Sequence, residues 1–433
     1  MTNDEPPPAL ARASGSIKLS LIPLAISTTI LLVSPAACLP DGRIGVLYVG
    51  CIARSPPFWE MRSDPLFSIS FVQATLRDWG AWGPIQQAES EPQVHRMVRL
   101  YMPRSYRDMT SRFDVIVLAN ANTEAVGIQN IEMLAKGVRE GTMGLLMSGG
   151  WETFGGAFGR PPWGDNAVGQ LLPTQDMGNV WVEFPQGALY LVIDRNDHEL
   201  ISSIPWEREK APFMTNFQHN LVRAREGAEV LAHVESMGYN DHPAMVTWDL
   251  DNGNRVFALT SEIHAMSPRY GSLWTYYLDY GSNLMIYLNR RRVPQDIDLV
   301  HAVRARMYEL GIRRSLLVSL LEFCDSFGAN TATITAKIDE VDELAKEARP
   351  AYFQLRFEET LETYKGALQM LQDIEKDAIE LKNRTLLWVY VIEWLSITGT
   401  GMICGFLLWS LMIRRRLYRE VRTTKLDAFK EQL

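Results

Sequence analysis

FDVIVLANANTEAVGIQNIEMLAKGVREGTMGLLM, residues 113–147, is the stretch on which the fold turns. Residues 113–118 (FDVIVL) and 144–147 (GLLM) are short apolar runs without polar alternation, a pattern that suits strands covered on both faces. Between them, residues 124–140 place Ile128, Ile131, Leu134 and Val138 at helical spacing. Strand, helix and strand at this separation predict a βαβ crossover, and with it a parallel sheet. Runs at residues 44–48 (IGVLY) and 67–72 (FSISFV) add two strands of the same kind. Residues 189–192, 229–233, 244–248 and 256–260 predict a more meander-like second half. Asp251-Asn252-Gly253-Asn254 is the hairpin turn between the last two.

The chain has 433 residues, more than one compact core usually accommodates, so several modules are expected. Lys and Arg number 43 against 51 Asp and Glu, a net charge of −8 that argues against a nucleic-acid partner bound through its phosphates. The cysteines at 38, 51, 324 and 404 show no C-x-x-C pairing, so neither a disulfide scaffold nor a thiolate zinc site is expected. His198, His219, His233, His242 and His301 likewise lack metal-ligand spacing, and no cofactor is called for.

Two apolar stretches suggest a membrane protein. Residues 386–413 contain one charge, Glu393, and residues 394–413 contain none, enough to cross the hydrocarbon core. Trp388, Tyr390 and Trp394 then fall at one interface and Trp409 near the other. Arg414, Arg415, Arg416, Arg419, Arg422, Lys425 and Lys430 follow, so residues 414–433 are expected to be a basic cytoplasmic tail. Residues 19–37 follow Arg12 and Lys18 and end in small residues, the pattern of a signal peptide or uncleaved anchor within residues 1–41. Both features put the intervening chain outside the cytoplasm. If the first segment is uncleaved, it is a second span.

From Pro294 the composition turns to charged helix. Residues 298–327 read as one amphipathic helix, with Asn330 or Thr331 capping the next. Phe357, Leu361, Tyr364, Leu368, Leu371, Ile374, Ala378 and Leu381 recur at alternating four- and three-residue steps, a coiled-coil-like seam. An intramolecular helical hairpin and a dimeric stalk both satisfy that pattern. Gly401-x-x-x-Gly405 fits a helix-packing motif in the span, so the bilayer and either a second copy or a membrane partner are the expected contacts. The modules expected are an α/β domain at 42–292, a helical stalk at 293–385 and a span at 386–413.

GLLMSGGWETFGG at residues 144–156 resembles the class I glutamine amidotransferase superfamily, in the branch related to trehalose-utilisation proteins. VLYVG at 46–50 with Ser55-Pro56, MRSDP at 61–65, RLYMP at 99–103 and FDVIVL at 113–118 resemble the same branch. So do DHEL at 197–200 and IPW at 204–206, with Glu199 where the family has proline. The resemblance covers roughly residues 44–290. It implies a flavodoxin-like, doubly wound, mostly parallel α/β sheet. EWLSITGT at 393–400 and LMIRRRLYRE at 411–420 look like a membrane-anchored architecture associated with archaeal relatives.

The same resemblance bears on chemistry. Working members carry a nucleophilic cysteine on a sharp strand-to-helix turn, activated by a His-Glu pair. Matching GLLMSGG to that turn puts Ser148 at the cysteine position, with no thiol nearby, and in place of the family's His-x-Glu stands Glu262-Ile263-His264. Glutamine hydrolysis is therefore not expected, and Cys51, the one thiol of the domain, reads as structural. A serine hydrolase using Ser148, His264 and Glu262 or Asp197 is the alternative, although Leu146 stands where an elbow needs its first glycine. A third reading is a structural subunit of a membrane complex. As a binding module, the chain offers Ser148, Gly149, Gly150, Trp151, Glu152, Arg62 and Arg104 as ligand candidates, with backbone amides at the turn facing a pocket. Phe58, Arg160 and Trp163 are candidate lining residues, or a lid packed on its own sheet.

Overall fold

A computed structural model describes residues 39, 41–52, 56–76, 91–156, 161–183, 190–206, 218–236, 239–263 and 274–430. The first apolar segment, Cys38, Arg160 and His264 lie outside these residues. The chain begins its fold with β1 (Ile44–Gly50), α1 (Pro56–Met61), β2 (Phe67–Gln73), α2 (Glu91–Tyr101), α3 (Tyr106–Arg112) and β3 (Val115–Ala119). There follow α4 (Thr123–Val126), α5 (Ile128–Arg139), β4 (Gly144–Ser148), β5 (Thr174–Glu183), β6 (Tyr190–Ile193) and α6 (Glu199–Ser202). The domain ends with β7 (Gln218–Ala224), β8 (Glu229–Ser236), β9 (Tyr239–Asp249), β10 (Arg255–Leu259) and α7 (Tyr277–Leu288).

Eight strands form one mixed sheet in the order β2-β1-β3-β4-β10-β9-β8-β6. The first five run parallel, and β9, β8 and β6 alternate in direction beyond them. β3, α5 and β4 are the crossover the sequence predicts, with Val115 in register with Gly144 and Ala119 with Ser148. β1, β3 and β4 are buried along their whole length, which is why they lack polar alternation. Helices cover both faces: α2 to α5 pack over Ile116, Leu118, Leu145 and Met147, while α1, α6 and α7 pack over Tyr48, Val117, Leu146 and Phe257. This is a doubly wound, mostly parallel α/β fold.

A second, two-stranded sheet of β5 and β7 was not foreseen from the sequence. The sequences TQDMGNVWVE and QHNLVRA alternate in no regular way, and Gly178 (φ +85°) falls where the register slips between Asp176 and Trp181, so no period of two survives to be read.

The helical region consists of α8 (Ile297–Ser326), α9 (Ala332–Glu347), α10 (Arg349–Phe353) and α11 (Phe357–Lys430). Gly328 (φ +79°) closes α8 and the Asn330 carboxamide accepts from the Ala332 amide to open α9. The seam of α11 is covered within the chain. Tyr364, Leu368, Leu371, Ile374 and Ala378 belong to one apolar core with Leu317 and Leu321 of α8 and Ile338 and Val341 of α9. That core continues into the α7 face of the sheet, so the helices rest on the α/β domain.

A buried charged group joins the two regions. Arg304 of α8 contacts Asp279 of α7 at 3.0 Å and Asp64 at 3.5 Å, and the Tyr352 hydroxyl donates to Asp64 at 2.7 Å. Burial works against the Arg304 charge, yet Tyr352, Asp279 and Asp64 around it hold its pKa above the ordinary guanidinium value. Among the described residues, α11 is the one helix long and apolar enough to cross a bilayer.

Candidate functional site

The chain leaves β1 to build β2 on one side and returns to place β3 on the other. In such open sheets the reversal of strand order opens a crevice at the carboxyl ends of the strands. A small recess, with room for about one water molecule, lies there, lined by Tyr48, Cys51, Ala119, Asn120, Ser148, Gly149, Glu262 and Ile263. Every polar side chain among them is buried. Ser148 is 0% exposed and Glu262 4% exposed, so a ligand reaching them would be largely stripped of water.

Each lining residue is held by its strand end. Asn120 terminates β3 in a left-handed conformation (φ +51°), which asparagine tolerates better than most residues. Its side-chain oxygen accepts from the Glu152 amide at 2.9 Å. Cys51 follows β1, with its amide donating to the Ala119 carbonyl at 2.9 Å and its carbonyl accepting from the Tyr48 hydroxyl at 3.0 Å. After β4 the chain passes so close to its neighbours that only glycine fits: a Cβ on Gly149 would lie 2.2 Å from the Thr260 carbonyl oxygen, and one on Gly150 (φ +154°) 2.6 Å from Asn120 Oδ1.

The Ser148 hydroxyl is engaged on both sides. It donates to the Ser261 carbonyl at 3.1 Å and accepts from the Ile263 amide at 2.9 Å. The neighbouring amides are engaged too. Gly149 donates to the carbonyls of Leu259 and Ser261 (2.7 and 3.0 Å), and Gly150 to Asn220 Oδ1 at 2.9 Å. The turn after β4 thus spends these donors on the protein itself rather than turning them into the recess.

The sequence-predicted residues divide accordingly. Ser148, Gly149 and Glu262 meet in the recess. Glu152 lies behind it, its carboxylate accepting from the Leu76 amide at 2.8 Å and Asn122 Nδ2 at 3.1 Å, which ties together the loops after β2, β3 and β4. Trp163 is fully buried and clamps the same turn through Nε1, which donates to the carbonyls of Ala121 and Glu152. Phe58 packs against Tyr48 at 5.0 Å. Trp151 is half-buried. Arg62 is exposed, with its guanidinium over the Trp59 ring at 5.3 Å. Arg104 is exposed on the path into the amino end of β3, the opposite end of the sheet from the recess. Asp197 is paired with Arg195 at 2.8 Å on the surface.

Sequence reasoning did not single out Asn120 or Asn220. Asn120 sits in the ANANT stretch that follows β3, where an asparagine at a strand end is a signal for a left-handed residue. Asn220 comes from β7, in the sheet that the pattern hid. Its carboxamide also donates to the carbonyls of Gly150 and Thr153, so it clamps the turn from outside. Beside it, burial and the neighbouring His242 ring push the His219 pKa down to about 3.

Residues 113–290, from β3 through α7, match the family model described as "Putative glutamine amidotransferase". The segment is a glutamine amidotransferase-like domain. Similar solved structures include the cytoplasmic protein STM1381 from Salmonella typhimurium LT2, 17% identical, covering 56% of this chain and 98% of that one with a TM-score of 0.43. The cytoplasmic protein STM3548 from Salmonella typhimurium is 18% identical over 57% of this chain and 99% of that one, with a TM-score of 0.44. Agd3, a novel carbohydrate deacetylase, is 10% identical over 57% of this chain and 32% of that one, with a TM-score of 0.34. No curated protein matches the chain. Within the amidotransferase-like domain, the recess lies beside the end of β4, at Ser148 and Gly149.

Proposed function

We propose that the amidotransferase-like domain is a non-catalytic binding module, held outside the cytoplasm by α11, and that it takes a small ligand at the carboxyl ends of β1, β3 and β4. The observation that carries this reading is the state of Ser148. A serine nucleophile needs a lone pair open to substrate and a base for its proton. The Ser148 hydroxyl instead sends its proton to the Ser261 carbonyl, which is no base, and gives one of its two lone pairs to the Ile263 amide. The Glu262 carboxylate favours a ligand with hydrogen-bond donors, such as an amine or amide end, over an anion. The apolar stretch of α11 followed by Arg414, Arg415 and Arg416 supports a span with a cytoplasmic C-terminus.

The test uses the full chain in lipid nanodiscs. Glutamine and a panel of amide and ester probes are assayed for turnover, and small amines, amides and carboxylates are screened by thermal shift. Absence of turnover, with a donor-bearing ligand whose stabilisation is lost in Glu262→Gln, supports the reading. Glu262 shares the recess with Ser148, so a hydrolase using Ser148, His264 and Glu262 is the second reading; turnover abolished by Ser148→Ala would establish it and overturn the first.

A further inference from the structure

The three long helices lie side by side. Arg314 of α8 pairs with Asp342 of α9 at 2.6 Å, Lys337 of α9 with Asp377 of α11 at 2.6 Å, and Arg313 of α8 with Glu375 of α11 at 3.4 Å. Further along, the Lys382 charge acts on Cys324. The partners on α8 and α11 rise together, so α8 climbs beside α11, α9 returns, and the turn between α8 and α9 lies at the end of the bundle away from Arg304 and Asp64. At that end the cover on α11 runs out: Thr385 is buried, Leu386 and Val389 are half-buried, and the apolar side chains beyond them are exposed. The last covered residues of α11 are therefore also the first of its apolar stretch. The bundle stops where a membrane would begin.

At the same level α8 exposes two aromatic rings. Phe323 is 40% and Phe327 48% exposed, and the two rings meet edge to face at 5.0 Å. No packing among the described residues accounts for leaving them open. We propose that the α8–α9 turn is a membrane-interface foot, Phe323 and Phe327 entering the boundary between headgroups and acyl chains beside the point where α11 enters the bilayer. The occupant is lipid because the apolar surface of α11 emerges at the level of these rings, and aromatic side chains favour that boundary. Lys382 can extend its amine to the headgroups while its stem stays on the bundle. With this foot, the bilayer touches the protein at two points, α11 and the turn, which fixes the tilt of the bundle and the α/β domain upon it. The proposal rests on the reading of α11 as a span. Leu316 is exposed on the same helix, but at 1.5 Å per residue it lies roughly 16 Å below Phe327, out of reach of the interface.

The experiment places a nitroxide amino acid at position 327, 316 or 407, one at a time, in the full chain reconstituted into phosphatidylcholine vesicles containing phosphatidylglycerol. Collision rates with oxygen and with a water-soluble nickel chelate are then read by electron paramagnetic resonance. The proposal expects the label at 407 to be deep in hydrocarbon, the label at 316 in water, and the label at 327 severalfold less accessible to nickel than that at 316 and more accessible to oxygen. Nickel accessibility at 327 equal to that at 316, with 407 deep, overturns the foot and leaves the span standing. Shielding of 316 and 327 from both reagents alike assigns this face of α8 to a protein partner and also overturns the foot. A label at 407 open to nickel overturns the span, and the foot with it.

Discussion

Ser148 Oγ stands between the Ser261 carbonyl oxygen, 3.1 Å away, and the Ile263 amide nitrogen, 2.9 Å away, so one hydroxyl stitches the end of β4 to the segment after β10. Replacing it with alanine leaves the buried Ile263 N–H without its acceptor, a loss of about 1–3 kcal/mol. Ser148→Ala is expected to lower the melting temperature while leaving background hydrolysis of any ester probe unchanged. Calorimetry and a rate measurement on the same preparation check both halves.

Arg304 carries the junction between the helices and the α/β domain. Truncating it to methionine would leave Asp64 and Asp279 buried without their cation, which is expected to cost about 3–5 kcal/mol. Tyr352→Phe removes one donor to Asp64 and is expected to cost about 1 kcal/mol. Arg306→Ala breaks an exposed pair with Glu309 and should stay within about 1 kcal/mol. Denaturant titration of the three variants tests that ranking.

His219 gives the domain an acid-side weakness. Its folded pKa of about 3 lies below the 6.5 of the free side chain, so between these values the unfolded chain binds a proton that the folded chain refuses. The neutral ring's contribution is complete above pH 6.5 and is lost as pH falls toward 3. His219→Gln is expected to flatten that part of the curve of melting temperature against pH.

Asp114 works in the opposite sense. Burial raises its pKa to about 6, against the pull of the Gly45 amide, which donates to it at 2.8 Å, and of Arg291. Between 3.8 and about 6 the unfolded chain has released a proton that the folded chain keeps, so stability falls as pH rises through that window and stays lowered above it. Asp114→Asn retains an oxygen for the Gly45 amide and removes the charge. It is expected to stabilise the protein at neutral pH and to change little near pH 4, as paired thermal melts would show.

The parallel half of the sheet was legible because β1, β3 and β4 are buried on both faces, and continuous burial leaves an uninterrupted apolar run in the sequence. β7 was not legible, since QHNLVRA follows no period, and Asn220 within it reaches the site through its contacts with Gly150 and Thr153. The seam from Phe357 to Leu381 was legible as a seam, but heptad spacing is the same whether the second helix is another chain or another segment of this one. Here α8 and α9 fill it.

The sequence alone determined the elements whose cause is local: the crossover from β3 through α5 to β4, the turn at Asp251 to Asn254, and the long apolar stretch of α11. It also determined that no thiol stands at the end of β4. Only the tertiary structure decided where the donors of that turn are directed, because Ser261, Ile263 and Asn220 reach it from positions 70 to 115 residues distant along the chain. It likewise decided that Arg304, Asp64 and Asp279 form one buried group, each being in sequence an ordinary charged residue. Hydrophobic period is a property of neighbours along the chain, whereas the satisfaction of a buried polar atom is a property of neighbours in space.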